Sequence, residues 1–173
     1  RNRLNAQYDG GPGFDERTIT VVETWRFASA NRLAPWWAST LSAGDGVDDS
    51  RSQTAFGDFT FDTTQRQYTW QNDFTLPGDA GALTLGIERR EERLATDAAF
   101  AVTARDTDAV FGVWRARFGD QALQANLRRD DSSQYGGETT GAVAWGWRFA
   151  PQWRATAGYG TAFKAPTFND LYY

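Results

Sequence analysis

The sequence predicts an all-β protein, an antiparallel sheet of about nine strands, and three observations carry this prediction. Apolar and polar residues alternate with a period of two along most of the 173-residue chain, as they do when successive side chains of a strand point to opposite faces. Glycine, proline and aspartate interrupt these stretches where hairpins would turn. The connections also alternate between short and long, which antiparallel strands sort to the two ends of a sheet.

The strands follow in order from a short stub that ends near residue 8. The strands predicted after the stub are 18–28, 33–42, 65–76, 81–90, 108–118, 121–129, 141–150 and 153–163. Short turns are expected at 29–32, 77–80, 119–120 and 150–152, and longer loops at 9–17, 43–62, 91–105 and 130–137. Strand 65–76 shows the pattern most cleanly, because Trp70 and Phe74 lie on one face and Gln71 and Asp73 on the other.

The aromatic faces of these strands fit two architectures. A soluble sandwich would bury them in a dry core, whereas a membrane barrel would turn them to lipid and the polar faces to water. Arginines lie opposite the apolar residues, and burying each of them unpaired in a dry core would cost several kcal/mol. These arginines are Arg115, Arg117, Arg128, Arg148 and Arg154. A wide, water-filled lumen accommodates such charges, so they favour the membrane barrel.

Strand length and the position of the aromatic residues point the same way. Most strands have about the 9–11 residues that cross a bilayer at a tilt. Aromatic residues gather beside the short turns, where an aromatic girdle would lie. They are Trp25, Phe27, Phe74, Phe118, Trp147, Phe149 and Trp153. Nine strands do not close a bacterial barrel, which has an even number of strands, so we expect a transmembrane β-barrel segment of a larger barrel.

Composition argues against several functions. The chain has no histidine and no cysteine, so it offers no Ser-His-Asp or Cys-His nucleophile, imidazole or thiolate metal site, or disulfide. Its net charge of −4 provides no basic surface for nucleic acid. No apolar run approaches the roughly 18 residues of a membrane helix. We therefore expect neither an enzyme nor a nucleic-acid partner.

Three segments resemble TonB-dependent outer-membrane receptors, and in particular their cobalamin-receptor branch. Residues 159–172 read YGTAFKAPTFNDLY, which resembles the family's YGTxFKAPxxxxLY strand end. The upstream segments that fit are RDTDAVFGVWRARFGD at 105–120 and LQANLRRDDSSQYGGETTGAVAWGW at 123–147. The FKAP motif is typical of the whole class, including siderophore receptors, so it does not identify the ligand.

The resemblance implies a barrel of about 22 strands around an N-terminal plug. Residues 1–173 would then be a partial barrel that contains neither the plug nor the terminal strands. The implied function is import of cobalamin (vitamin B12) or a related corrinoid across the bacterial outer membrane, with energy from TonB through the plug and without covalent chemistry. Outer-membrane lipid and lipopolysaccharide would be further partners.

Two alternatives remain open on the sequence. The first is a TonB-dependent receptor for a ferric siderophore. The second, from a different class, is a soluble β-rich module that binds carbohydrate in an aromatic groove. A soluble module predicts that the tryptophans pack together in a dry interior.

The resemblance also implies candidate site residues in the outer loops. Asp9 and Asp15 match acidic positions that bind calcium in cobalamin receptors, and Tyr8 would give a carbonyl or pack nearby. A solvated acidic turn is the alternative reading of this loop. Asn169 and Tyr172 begin a later loop and are candidates for ligand contact.

Three other features are expected to be structural. Residues 164–166, the KAP of the motif, would end regular pairing, because Pro166 restricts the residue before it and lacks an N–H. Asp45, Asp48 and Asp49 would keep a long loop soluble. The charge run at 88–93 would form a wet rim of the barrel.

Overall fold

In the computed structural model, nine antiparallel strands form one sheet in chain order, as the sequence predicts. The structure describes residues 2–9 and 15–167, with side chains described for 2–7 and 16–167. The strands are β1 (Asn2–Asp9), β2 (Asp15–Ala34), β3 (Trp37–Thr54), β4 (Gly57–Thr75), β5 (Ala82–Thr96), β6 (Ala104–Phe118), β7 (Gln121–Ser132), β8 (Gly136–Ala150) and β9 (Trp153–Gly160). The 3-10 turn Gly78–Ala80 lies in the connection between β4 and β5. No helix in the described ranges is long and apolar enough to cross a membrane.

The register sorts side chains onto two chemically different faces. On what we call the apolar face, Leu41, Trp70, Ile87 and Val110 are direct neighbours across β3 to β6. The opposite side, the polar face, carries uncharged and charged polar residues. Examples are Thr69, Glu88, Asp130 and Glu138, which the register places in adjacent positions from β4 to β8.

The polar face is the more enclosed of the two. Thr84, Thr107 and Arg105 on this face are buried, whereas Ile87 and Val110 on the apolar face are more than half exposed. Tryptophans stay exposed as well, Trp25 by 61% and Trp153 by 67%. The prediction of tryptophans packed in a dry interior, which the soluble alternative requires, is therefore wrong.

The apolar face forms a band of limited height. On β6 the band runs from Phe118 to Val110 and is replaced by Asp108 and Asp106 in the same face. This span is about 27 Å along the strand at roughly 3.4 Å per residue, or about 20 Å along the axis of a barrel tilted by ~40°. This height is slightly less than the roughly 25 Å apolar band of outer-membrane barrels.

The structure corrects the predicted connections on the first three long strands. β2 continues through residues 29–32, and the turn lies at residues 35–36, where Pro35 begins it. The predicted loop 43–62 is a hairpin, since β3 and β4 pair without a break to Thr54 opposite Gly57. Here Phe59 and Phe61 lie on the polar face, out of phase with Trp70 on the apolar face, so the alternation of strand 65–76 does not continue. Hydroxyl pairs such as Thr18 with Ser52, at 3.0 Å, join β2 to the same extension.

The other predicted loops shrink for the same reason. β5 extends to Thr96 and β6 begins at Ala104, which leaves 97–103 as the connection instead of 91–105. β7 and β8 leave only 133–135 instead of 130–137. β9 is shorter than predicted and ends at Gly160 rather than at residue 163. The turns at 119–120 and around 77–80 and 151–152 lie where the sequence predicts them.

Candidate functional site

Two networks of charged side chains lie on the polar face, and the first is centred on Arg128 of β7. Its Nη2 donates to Glu88 Oε1 of β5 at 2.8 Å, and its Nε donates to Asp130 Oδ2 at 2.9 Å. Gln67 of β4 donates to the other oxygen of the Glu88 carboxylate at 2.8 Å. The network therefore links β4, β5 and β7 by passing over β6 on the polar face.

Arg128 reaches across β6 beside the aromatic ring of Phe111. Phe111 of β6 is the neighbour of both Gly86 and Arg128 in the register. Gly86 has no Cβ, so the Phe111 ring occupies the space that a side chain at residue 86 would fill. The Arg128 guanidinium lies 5.9 Å from the centre of the ring, within cation–π range.

The second network is centred on Arg105 at the start of β6. Arg105 is 7% exposed, and its Nε and Nη2 both donate to the Glu92 carboxylate, at 2.8 and 2.9 Å. Its Nη1 donates to the side-chain oxygen of Gln134 at 3.1 Å and to the carbonyl of Pro166 at 2.7 Å. The Tyr135 ring lies 5.8 Å from the guanidinium carbon. This planar, bidentate pairing satisfies a charge that burial would otherwise penalise.

A groove of about 840 Å³ runs along the sheet beside Arg105. Seven of the lining residues that β2 to β4 contribute have hydroxyl or amide side chains. They are Thr24, Ser42, Thr63, Thr64, Gln65, Gln67 and Thr69. Glu92, Arg105 and Thr167 line the groove as well. So do apolar residues such as Val22 and Phe61 and further charged residues such as Arg26 and Arg93. A groove of this size suits a large ligand that combines apolar surface with polar groups.

The charge run at 88–93 is divided between the two faces. Glu88, Arg90 and Glu92 lie on the polar face, where the first and third belong to the networks above. Arg89 and Arg93 lie on the other face, beyond the apolar band, and pair with Asp106 at 3.3 and 2.7 Å. Arg89 also binds Asp108 at 3.1 Å. The expected wet rim is thus a set of cross-strand ion pairs.

The structure brings two of the sequence-predicted calcium residues together at backbone level. Asp9 is the register partner of Asp15, and Tyr8 is the partner of Glu16, at the end of the β1–β2 ladder next to residues 10–14. The side chains of Tyr8, Asp9 and Asp15 lie outside the described ones, as do Asn169 and Tyr172 entirely. The calcium site and the two loop contacts stay predictions.

The second acidic segment does not converge. Asp45, Asp48 and Asp49 belong to β3, where the register puts Asp48 on the face opposite to the other two. Asp45 is bound by Arg66 at 2.9 Å. Within 2–9 and 15–167, no group of three or more acidic side chains is placed to hold a metal ion.

Sequence reasoning missed Arg105 and Glu92 as partners. Both fall in a stretch expected to be an irregular loop, so no strand register was available to place them side by side. The signal was present, however, because Glu88, Arg90 and Glu92 continue the period of two from the preceding strand.

Comparison with known proteins agrees with this architecture. The family model described as "TonB dependent receptor-like, beta-barrel" matches residues 1–173. The vitamin B12 transporter BtuB of Vibrio cholerae serotype O1 is 33% identical over 125 residues, which are 72% of this chain and 20% of the transporter. BtuB of Photobacterium profundum is 34% identical over 105 residues, 60% of this chain and 17% of that protein. The chain therefore spans about a fifth of the length of these relatives.

A solved structure shows the same fold. The crystal structure of the siderophore receptor PirA from Pseudomonas aeruginosa aligns with a TM-score of 0.52 over 95% of this chain and 39% of the receptor. Sequence identity is 16%, so the likeness concerns the fold alone.

Proposed function

This chain belongs to the TonB-dependent receptor β-barrel family, and from that premise we propose that it is part of an outer-membrane receptor that imports cobalamin or a related corrinoid. In this proposal the apolar face touches lipid and the polar face lines the lumen. Energy for transport comes from TonB through a plug supplied by a part of the receptor outside this sequence. The barrel segment binds and guides the ligand and catalyses no reaction.

The observation that carries the corrinoid proposal is the 33% identity to vitamin B12 transporters over most of the chain. The groove on the polar face supports it chemically. A corrinoid carries a periphery of carboxamides, and the hydroxyl and amide side chains of the groove are suitable partners for them. An anionic ferric chelate would favour arginines whose charge is not already neutralised. Of the three arginines that line the groove, Arg93 already pairs with Asp106 and Arg105 with Glu92.

The apolar band supports the membrane location. Unpaired apolar side chains on this scale are costly in water and favourable in hydrocarbon. Lipopolysaccharide phosphate would bind Arg129, because this arginine is the register neighbour of Val110 at the edge of the apolar band. Its Nη1 bonds the hydroxyl of Thr139 at 2.9 Å.

We also propose that calcium orders the β1–β2 hairpin through Asp9 and Asp15. Asp9 and Asp15 are direct partners in the β1–β2 register, which brings their backbones together. Calcium takes six to eight oxygen ligands, so other parts of the receptor would complete the site. Asp9→Asn combined with Asp15→Asn should then abolish calcium-dependent protection of this hairpin from proteolysis, and protection that persists in the variant would refute the site.

The test of function uses the full-length receptor purified in detergent. Isothermal titration with cyanocobalamin should give saturable binding, and a ferric hydroxamate and a ferric catecholate should give none. Gln67→Ala with Thr69→Ala should weaken corrinoid binding, whereas Ser39→Ala on the opposite face should not. Binding of a ferric chelate instead would establish the siderophore alternative, and binding of neither would reject both.

A further inference from the structure

Residues 161–167, which we call the strap, leave β9 and cross the sheet instead of continuing it. Thr161 still pairs with β8, because its N–H donates to the Gly141 carbonyl at 2.8 Å. Five residues later the carbonyl of Pro166 accepts a hydrogen bond from Arg105 on β6. Since β7 and β8 lie between β6 and β9, the strap passes over both of them.

An aromatic contact fixes the middle of the strap. The Phe163 ring lies 5.3 Å from the ring of Tyr135, in the tight connection between β7 and β8. Tyr135 in turn faces the Arg105 guanidinium. Among the contacts described here, three hold the strap, and two of these depend on Arg105 directly or through Tyr135.

Arginine can hold the strap from position 105 in a way that lysine cannot. Its two bonds to Glu92 fix the plane of the guanidinium. In this orientation Nη1 donates to both the Gln134 side chain and the Pro166 carbonyl. Glu92 holds the guanidinium without touching the strap in any contact described above. A lysine ammonium is a single flexible point charge, so it pairs with Glu92 but does not span the same set of partners.

We propose that Arg105 is a positioning residue for ligand capture: it locks the strap and thereby sets the position of Thr167, which lines the groove on the polar face. The inference rests on the proposed receptor function, because that groove is the proposed corrinoid site. The locking of the strap by Arg105 does not itself require a ligand.

The test places a spin label on the strap of the full-length receptor. This stretch contains no cysteine, so Lys164→Cys introduces one labelling site within it at an exposed position. Without ligand, Arg105→Lys and Arg105→Gln should both increase label mobility. Arg89→Gln is the matched control, because Arg89 also holds several carboxylates on β5 and β6 but lies on the opposite face, and it should leave the label unchanged.

The affinity for cyanocobalamin then tests whether a loosened strap weakens ligand binding. Arg105→Lys should weaken binding about tenfold, the effect of losing one hydrogen bond to a charged group, while Arg89→Gln does not. Tyr135→Leu, which removes no charge, should reproduce the loosened strap, and Tyr135→Phe should restore it. An immobile label in both Arg105→Lys and Tyr135→Leu would overturn the inference, as would a loosened strap with unchanged affinity. A receptor that binds no corrinoid at all would reject the function but leave the mobility result to decide the locking.

Discussion

The carboxylate of Glu88 and the guanidinium of Arg128, 40 residues apart in the chain, meet at 2.8 Å across an intervening strand. The contact spans two strand spacings, which is roughly 9.6 Å of sheet. Long side chains converge in this way on the inner side of a curved sheet, and the enclosure of the polar face agrees with that geometry. The pair therefore acts as a brace across β6.

Removing the cation of this brace should destabilise the sheet. Arg128→Met leaves Glu88 and Asp130 close together without their shared partner, at an expected cost of about 1–3 kcal/mol for partly buried groups. Urea unfolding in lipid vesicles measures the change. Combining Arg128→Met with Glu88→Gln should recover part of the loss, and a double variant no better than the single one would contradict the brace.

The space above Gly86 should not accept a side chain. A Cβ at this position meets the Phe111 ring, so Gly86→Ala should cost about 1–3 kcal/mol through overpacking. Gly46→Ala is the control, because a Cβ there meets only ordinary contacts at 3.7 and 3.9 Å. Adding Phe111→Leu to Gly86→Ala should relieve the cost. Equal stability of Gly86→Ala and Gly46→Ala in urea unfolding would refute the close packing.

Neighbouring residues of β7 should respond oppositely to a charge. Leu127 lies on the apolar face and is 62% exposed, whereas the register places Asn126 on the polar face. Leu127→Arg should cost about 2 kcal/mol of insertion free energy, because this position meets hydrocarbon. Asn126→Arg should be tolerated. Folding yield into vesicles measures both, and the reverse order would invert the assignment of the faces.

Acid should release the connection between β5 and β6. The hydroxyl and the backbone N–H of Thr60 donate to Asp97 at 2.7 and 2.9 Å, and these bonds hold the pKa of the Asp97 carboxyl below its ordinary value. A lowered pKa means that the folded state prefers the charged form. Its contribution is present above the ordinary pKa of about 4 and is lost as the pH falls through the lowered pKa.

Hydrogen exchange at the Thr60 amide can follow this release. Exchange should accelerate below about pH 4 relative to the intrinsic rate, and Asp97→Asn should weaken protection at neutral pH. Asp79→Asn, in the turn at the other end of the sheet, serves as the control. Protection that is independent of Asp97 would show that the bonds do not hold this segment.

The sequence pattern predicted the strands correctly wherever a strand has one apolar and one polar side. Strand 65–76, the turn at 119–120 and the exposed tryptophans all follow from an alternation that one face in contact with hydrocarbon imposes. Beyond Asp45 and Arg66 the apolar residues change face, since Phe59 and Phe61 lie on the polar face. The period of strand 65–76 is therefore lost there, and the β3–β4 extension looks like a loop.

The candidate site was harder to predict for a related reason. Arg105 gains its partners from β5, from the β7–β8 connection and from the strap, which are distant in sequence and meet only through register. A resemblance to a motif marked Pro166 as structural, but only coordinates show that its carbonyl binds Arg105. Contacts of this kind depend on three-dimensional proximity, which local periodicity does not encode.

The long β3–β4 hairpin has a consequence for molecular recognition. It reaches about 30 Å past Asp45 and Arg66 at roughly 3.3 Å per residue and is paired throughout, with Phe56 82% exposed at its tip. A paired ribbon has little conformational entropy left to lose when something docks on it. A partner that docks at this end therefore meets an ordered ribbon with an aromatic tip, and binding does not have to order it first.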